Sequence, residues 1–226
     1  MNEKVLVVKK LSKTYGTKQV VNQVDLSIEK GSFTAILGPN GAGKSTTIAM
    51  LSTLTQATSG DIYYDGLAIQ EHLRQVRPKI GIVFQNSVLD EALSVKENLS
   101  IQAGLYKHIS QDRIDEVIAL TSLTPILKQP VSQLSGGQKR RVDIAVSVLH
   151  QPEILFLDEP TTGLDIQTRL AIWEVLQNMK AKEAMTIVLT THYLEETNVA
   201  DNVYIINNGE IIANGSAKEL IQRYTQ

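Results

Sequence analysis

The chemistry in this sequence begins at Gly38-Pro39-Asn40-Gly41-Ala42-Gly43-Lys44-Ser45-Thr46. An apolar run, Phe33-Thr34-Ala35-Ile36-Leu37, precedes it with the length of a buried strand. Thr47-Ile48-Ala49-Met50-Leu51 follows with the apolar spacing of a helix facing a core. Strand, glycine-rich turn, Lys-Ser/Thr and helix is the setting of a phosphate-binding loop. Gly38 and Gly43 permit a wrapped backbone that a Cβ would resist. The turn aims successive N–H groups and the positive end of a helix at phosphate. In such a loop Lys44 reaches the terminal phosphates and the Ser45 hydroxyl ligates Mg²⁺. On this stretch alone the plainer reading, a glycine turn capping a helix beside an exposed lysine, stays open.

Four further stretches bear on it. Ile154-Leu155-Phe156-Leu157 reads as a buried strand ending on Asp158-Glu159-Pro160, and the carboxyl end of a strand is where open α/β sheets bind ligands. Two adjacent carboxylates there repel unless a cation or a reaction uses them. Ile80 to Phe84 reads as a buried strand ending at Gln85, and Met185 to Thr190 as another ending at Thr191-His192. Three polar side chains are thus expected to converge on one sheet edge. Leu134-Ser135-Gly136-Gly137-Gln138 opens a helix whose first turn is a serine and two glycines, on its own only a cap and a turn.

The remaining elements must hold these positions in place. Residues 4–9 and 20–28 read as β-rich, with turns at Gly16 and Gly31, and Asp61 to Gly66 as a strand ending in a turn. Ser94-Val95-Lys96-Glu97 is a capping-box sequence at the start of a helix that continues through Tyr106, and a second helix is expected over Gln111 to Leu120. A long helix spans 167–182, a hairpin turns at Asn208-Gly209, and Ser216-Ala217-Lys218-Glu219 caps a last helix. Lys139-Arg140-Arg141 reads as a solvated helix face. With 226 residues, 42% of them apolar, the chain can build a sizeable core. Its net charge of −2 gives no reason to expect a nucleic-acid partner. Without cysteine, disulfides and cysteine metal sites are excluded and a reducing cytosol is natural. The start has no apolar signal core and no run is long enough to span a bilayer, so a membrane role is expected from the water side.

Taken in order, GPNGAGKST (38–46), Gln85, LSGGQ (134–138), ILFLDEP (154–160), GLD (163–165) and TTH (190–192) resemble the ATP-binding subunit of ABC transporters over nearly the whole chain. Other P-loop families share the first motif and the carboxylate strand; LSGGQ is particular to this one. The resemblance implies an α/β P-loop NTPase core, a mainly parallel sheet flanked by helices, with an N-terminal antiparallel β-subdomain and an inserted α-helical subdomain. Residues 1–226 then form a single domain, with the core at about 1–85 and 152–226 and the helical insertion at about 86–151.

It also implies roles. Tyr15 stacks on adenine, and residues 38–46 wrap the phosphates, with Lys44 on the β- and γ-phosphates. Ser45, Gln85 and Asp158 hold Mg²⁺, Gln85 also touching the attacking water and relaying to a membrane partner. Glu159 is the general base, His192 the γ-phosphate switch, and Asp165 belongs to a loop that communicates across a dimer. Ser135, Gly136, Gly137 and Gln138 close on ATP held by a second copy in a head-to-tail arrangement. The implied activity is ATP hydrolysis that energises transport through a separate permease, which docks near Gln85 to Tyr106. Cysteines at Ser87 or Leu89 would report that contact. The location is cytoplasmic, peripheral on the membrane. A non-transport ABC-type ATPase, or a nucleotide-sensing subunit with little catalysis, are the alternatives. The segments Gly81–Asp90, Leu93–Leu99 and Thr190–Glu196 look like the daunorubicin-type exporter branch, which implies drug, antibiotic or lipid-like cargo. Val146 stands where many relatives carry arginine, with no expected loss of catalysis.

Overall fold

A computed structural model of the chain describes residues 3–224. The first two strands, β1 (Lys4–Tyr15) and β2 (Lys18–Glu29), form a hairpin around Gly16, and β3 (Phe33–Leu37) runs into the glycine-rich turn. Helix α1 (Lys44–Leu51) follows, then β4 (Ser59–Tyr64), β5 (Leu67–Ala68), the short helix α2 (Leu73–Val76) and β6 (Ile80–Val83). Three helices come next: α3 (Val95–Gly104), α4 (Gln111–Leu120) and α5 (Gly136–Val148). The chain then returns through β7 (Ile154–Asp158), α6 (Ile166–Glu183), β8 (Thr186–Thr191), β9 (Asn202–Asn207), β10 (Glu210–Gly215) and α7 (Ala217–Tyr224).

Two sheets result. One is antiparallel, in the order β2-β1-β4-β5; the other runs β10-β9-β3-β8-β7-β6 and is parallel except for the β10–β9 hairpin. The central strands β3, β7 and β8 are buried along nearly their whole length, with both faces covered, and their two-residue period sends alternate side chains to opposite sides. Leu155 and Leu157 join a cluster with α3, α4, α5 and α6, while Ile154 and Phe156 join another with α1 and the antiparallel sheet. Phe156 is fully buried, so its truncation to alanine would cost about 3–5 kcal/mol.

β1 extends six residues beyond the expected run. It pairs with β2 on one side and β4 on the other, and irregularities in the ladder, with Lys10 at φ 48°, carry the polar half through to Tyr15. The capping box of α3 is formed in full: Glu97 N–H donates to Ser94 Oγ at 3.3 Å, and Ser94 N–H donates to Glu97 Oε2 at 2.8 Å. The basic triplet corrects an expectation. Only Lys139 and Arg141 lie toward solvent; Arg140 is 8% exposed and its guanidinium reaches two backbone carbonyls of the loop after β6. Sequence spacing did not reveal the short helical turn Leu194–Val199 after β8. Among the described residues no helix is long and apolar enough to cross a membrane.

Candidate active site

The turns after β3, β6, β7 and β8 open at the same end of the parallel sheet, since parallel strands present their carboxyl ends together. They surround a cavity of about 500 Å³ lined by Asn40, Gly41, Gly43, Lys44, Ser45, Thr46, Gln85, Glu159 and His192. Lys18, Val20 and Thr162 complete the lining; sequence reading had given them no role.

The loop takes its shape from close backbone approach. Gly43 has φ 101°, and a Cβ there would come within 2.7 Å of the Val20 carbonyl. A Cβ on Gly38 would lie 2.3 Å from the Ile206 carbonyl. The chain therefore wraps as a side chain at either position would forbid. Lys44, the first residue of α1, folds back so that Nζ donates to the Gly38 and Pro39 carbonyls at 2.8 and 3.1 Å. Ala42 is buried, and its carbonyl accepts from Gly209 N–H at 2.9 Å.

The adjacent carboxylates separate. Asp158 accepts from Ser45 Oγ at 3.0 Å and from Thr190 Oγ1 at 2.6 Å. Glu159, at φ 44°, points its carboxylate toward Lys44, with Oε1 3.1 Å from Nζ. Oε2 accepts from Thr162 Oγ1 at 3.1 Å and lies 3.4 Å from His192 Nδ1. Burial pushes the Glu159 pKa up, but the Lys44 ammonium, helped by Thr162 and His192, outweighs it and leaves the carboxyl below its ordinary value. His192 Nδ1 is buried without a hydrogen-bond partner among the described residues.

Ser45 Oγ and Asp158 Oδ1 are hard oxygen ligands side by side, the donor type that Mg²⁺ takes. Among the described residues no cluster of three His, Cys, Asp or Glu could hold a metal.

Two sets of expected site residues lie apart from the cavity lining. Tyr15 is half exposed at the end of β1, with Lys13 Nζ 4.9 Å from its ring centroid. Ser135, Gly136, Gly137 and Gln138 begin α5, where Ser135 Oγ accepts from Gln138 N–H and Gln138 Oε1 accepts from Ser135 N–H. Both glycines press on the chain after β7: a Cβ on Gly136 would meet Leu164 at 3.1 Å, and one on Gly137 would meet Thr168 at 2.0 Å. Asp165 caps α6, accepting from Thr168 N–H at 3.0 Å.

A family model described as ABC transporter matches residues 21–162. The chain belongs to the ABC transporter family. It is 37% identical over 225 residues to the daunorubicin resistance ATP-binding protein DrrA3 of Streptomyces coeruleorubidus, covering 97% of this chain and 71% of that protein. It is 39% identical over 223 residues to the linearmycin resistance ATP-binding protein LnrL of Bacillus subtilis, with the same two coverages. Among solved structures it is similar to cbiO1 of Clostridium perfringens, part of the ABC transporter complex cbiONQ. The TM-score is 0.88 and the identity 31%, over 98% of this chain and 92% of that one. The ATP-binding cassette MJ0796, a dimer in a post-hydrolysis state bound to ADP and Pi, gives a TM-score of 0.83 at 28% identity, over 94% and 98% of the two chains. The chain is thus an ATP-binding cassette with the α/β architecture of its family.

Proposed function

We propose that this ABC cassette binds Mg²⁺-ATP and hydrolyses it to energise export through a separate membrane permease. The observation that carries the reading is the Lys44–Glu159–His192 group at the mouth of the phosphate loop, with the Ser45–Asp158 oxygen pair beside it. Hydrolysis needs the charge on the phosphates neutralised and a water held in line. Lys44 and the loop N–H groups meet the first need, and phosphate oxygens compete with Glu159 for Nζ as ATP enters. Ser45, Asp158 and Gln85 would hold Mg²⁺, which would supply Lewis-acid stabilisation of the phosphate charge. Glu159, ionised through its depressed pKa, accepts a proton from the attacking water while its oxygen adds to the γ-phosphorus and the bond to ADP breaks. His192 and Gln85 orient the γ-phosphate and the water.

Ser135, Gly136 and Gly137 form a second anion site at a helix N-terminus, outside the cavity lining of their own chain. In this reading they act on ATP held by a second copy, which makes the active unit a two-fold dimer with two identical sites. Tyr15 takes the adenine. Residues at about 86–151 act as a helical subdomain that carries this signature. Cargo of the drug or antibiotic type follows the resistance functions named for DrrA3 and LnrL, and the cassette works at the cytoplasmic face of the membrane. Four exposed apolar side chains, Phe84, Val88, Ile101 and Leu105, fall in or beside the segment assigned to the permease.

The test is Glu159→Gln. It is expected to lower steady-state turnover by about 10²–10⁴-fold while ATP binding persists, and with Mg²⁺-ATP the 24.9 kDa chain should elute as a dimer. Unchanged hydrolysis would remove Glu159 from its role.

A further inference from the structure

Glu196 is a carboxylate buried as deeply as the apolar core, at 4% exposure, and the reaction as described does not use it. One of its oxygens, Oε1, accepts the hydroxyl of Thr161; the other, Oε2, accepts the hydroxyl of Thr191 at 2.5 Å. Both threonines are 1% exposed. The Thr191 hydroxyl also accepts from Tyr193 N–H at 2.9 Å. Burying a carboxylate opposes folding even when its lone pairs are met, and an apolar side chain of similar volume would avoid that cost.

The positions of the two threonines give the bridge a meaning. Thr161 lies two residues after Glu159, and Thr191 immediately precedes His192. The ladder between β7 and β8 makes its last pairing at Asp158 and Thr190. One further bond, from Glu159 N–H to Thr190 Oγ1 at 3.0 Å, extends it. Beyond that point the sheet no longer fixes the distance between the two turns, yet Glu159 Oε2 and His192 Nδ1 stand 3.4 Å apart. Glu196 takes over where the ladder stops. It also reaches there from a short helical turn, Leu194–Val199, so the turn after β8 is braced against the turn after β7.

We propose that Glu196 is a positioning residue for hydrolysis, its carboxylate tying the Glu159 turn to the His192 turn and setting their separation around the attacking water. The inference rests on the roles given above to Glu159 and His192. The Glu196 carboxylate bonds Thr161 and Thr191. Only the Thr191 backbone carbonyl, accepting from Gly38 N–H at 3.1 Å, meets the glycine-rich loop, so the bridge bears first on the geometry of the reacting groups rather than on the hold on ATP. Misplacement of reacting groups by about 1 Å is enough to cost a hundredfold in rate.

Steady-state ATPase kinetics of the full chain with Mg²⁺, together with equilibrium ATP binding, test this. Glu196→Ala is expected to lower kcat about 10–100-fold while KM and the Kd for ATP stay within about twofold. Glu196→Gln, whose amide still offers an oxygen to Thr161 and an N–H to Thr191, should restore kcat to within about threefold of wild type. Thr161→Val removes one of the two bonds at nearly constant volume; it should show an intermediate loss that does not add to that of Glu196→Ala. Should Glu196→Ala not fold, Thr161→Val and Glu196→Gln carry the test. Wild-type kcat in Thr161→Val, or a loss of ATP binding that parallels the loss of kcat, would overturn the positioning role. Glu159→Gln is measured alongside: full turnover there would instead overturn the reading on which the inference rests.

Discussion

At the scale of single residues, the Lys44 ammonium and the Glu159 carboxylate neutralise each other at 3.1 Å, with less than a tenth of either side chain exposed. The pair explains how Glu159 can be enclosed and still ionised. It also predicts a pH dependence. Because the folded pKa of Glu159 is depressed, its contribution to stability is fully present above the unfolded carboxyl value, about 4.3, and is lost as pH falls through the folded value. Replacing Lys44 by Met leaves burial as the main influence and reverses the sign. The carboxyl then titrates above its unfolded value, and its protonated form is favoured by folding up to that pH. Urea unfolding across pH should show the variant nearest to wild type in acid and furthest from it at neutral pH and above. The expected neutral-pH deficit is about 1–3 kcal/mol, the penalty for a buried acceptor that loses its partner. A gap that stays constant with pH would mean that the ion pair does not set the Glu159 pKa.

Between elements, α5 grips the loop after β6 at successive points. Arg140 donates from Nη1 to the Phe84 carbonyl at 2.5 Å and from Nη2 to the Gln85 carbonyl at 2.7 Å. Asp143 accepts from Ser87 Oγ at 2.8 Å, and Lys139 pairs with Glu91 at 2.6 Å. Burial lowers the Arg140 pKa and raises that of Asp143, the mark of charges kept in a dry contact. Since α5 begins at the Ser135-Gly136-Gly137 cap, the loop carrying Gln85 and the signature are held as one piece. Arg140→Ala should therefore cost about 2–3 kcal/mol in urea unfolding, because it strands two carbonyls and removes the cation that lies 3.9 Å from the buried Asp143 carboxylate. It should also speed amide hydrogen exchange in both segments, around residues 84–90 and around 135–140. Faster exchange in one segment alone would mean they are not coupled through this side chain. The sequence showed where α4 and α5 lie because apolar spacing is a local signal, and α4 occupies its expected span, Gln111–Leu120. It showed the phosphate loop and the strand-end carboxylates for the same reason. Arg140 and Glu196 were not legible there. Each is a charged residue in a polar-looking stretch, and only the crossing of a distant loop turns its environment from solvent into core.

At the scale of the whole molecule, the phosphate cavity and the signature occupy separate places on one chain, and the segment between them is the one assigned to the permease. The structure sharpens where that contact should be sought. Ser87 is exposed, but its hydroxyl is engaged by Asp143, and Leu89 is only partly exposed, packed against the helical core. Val88 between them is 69% exposed, and Ile101 and Leu105 lie four residues apart along the same stretch, the spacing that puts side chains on one helix face. An apolar side chain held out by a loop that is itself anchored on α5 offers a partner helix both contact area and a rigid lever. The chain has no cysteine, so single-cysteine variants report without background. Val88→Cys is expected to crosslink to the coexpressed permease more strongly than Leu89→Cys. Ile212→Cys, on β10 and 56% exposed, is the control for an exposed apolar position outside this segment and should not crosslink. Crosslinking through position 212 with none through 88 would move the docking face away from the Gln85 loop. Contact with the permease would then have to reach the nucleotide by a route other than Arg140 and α5.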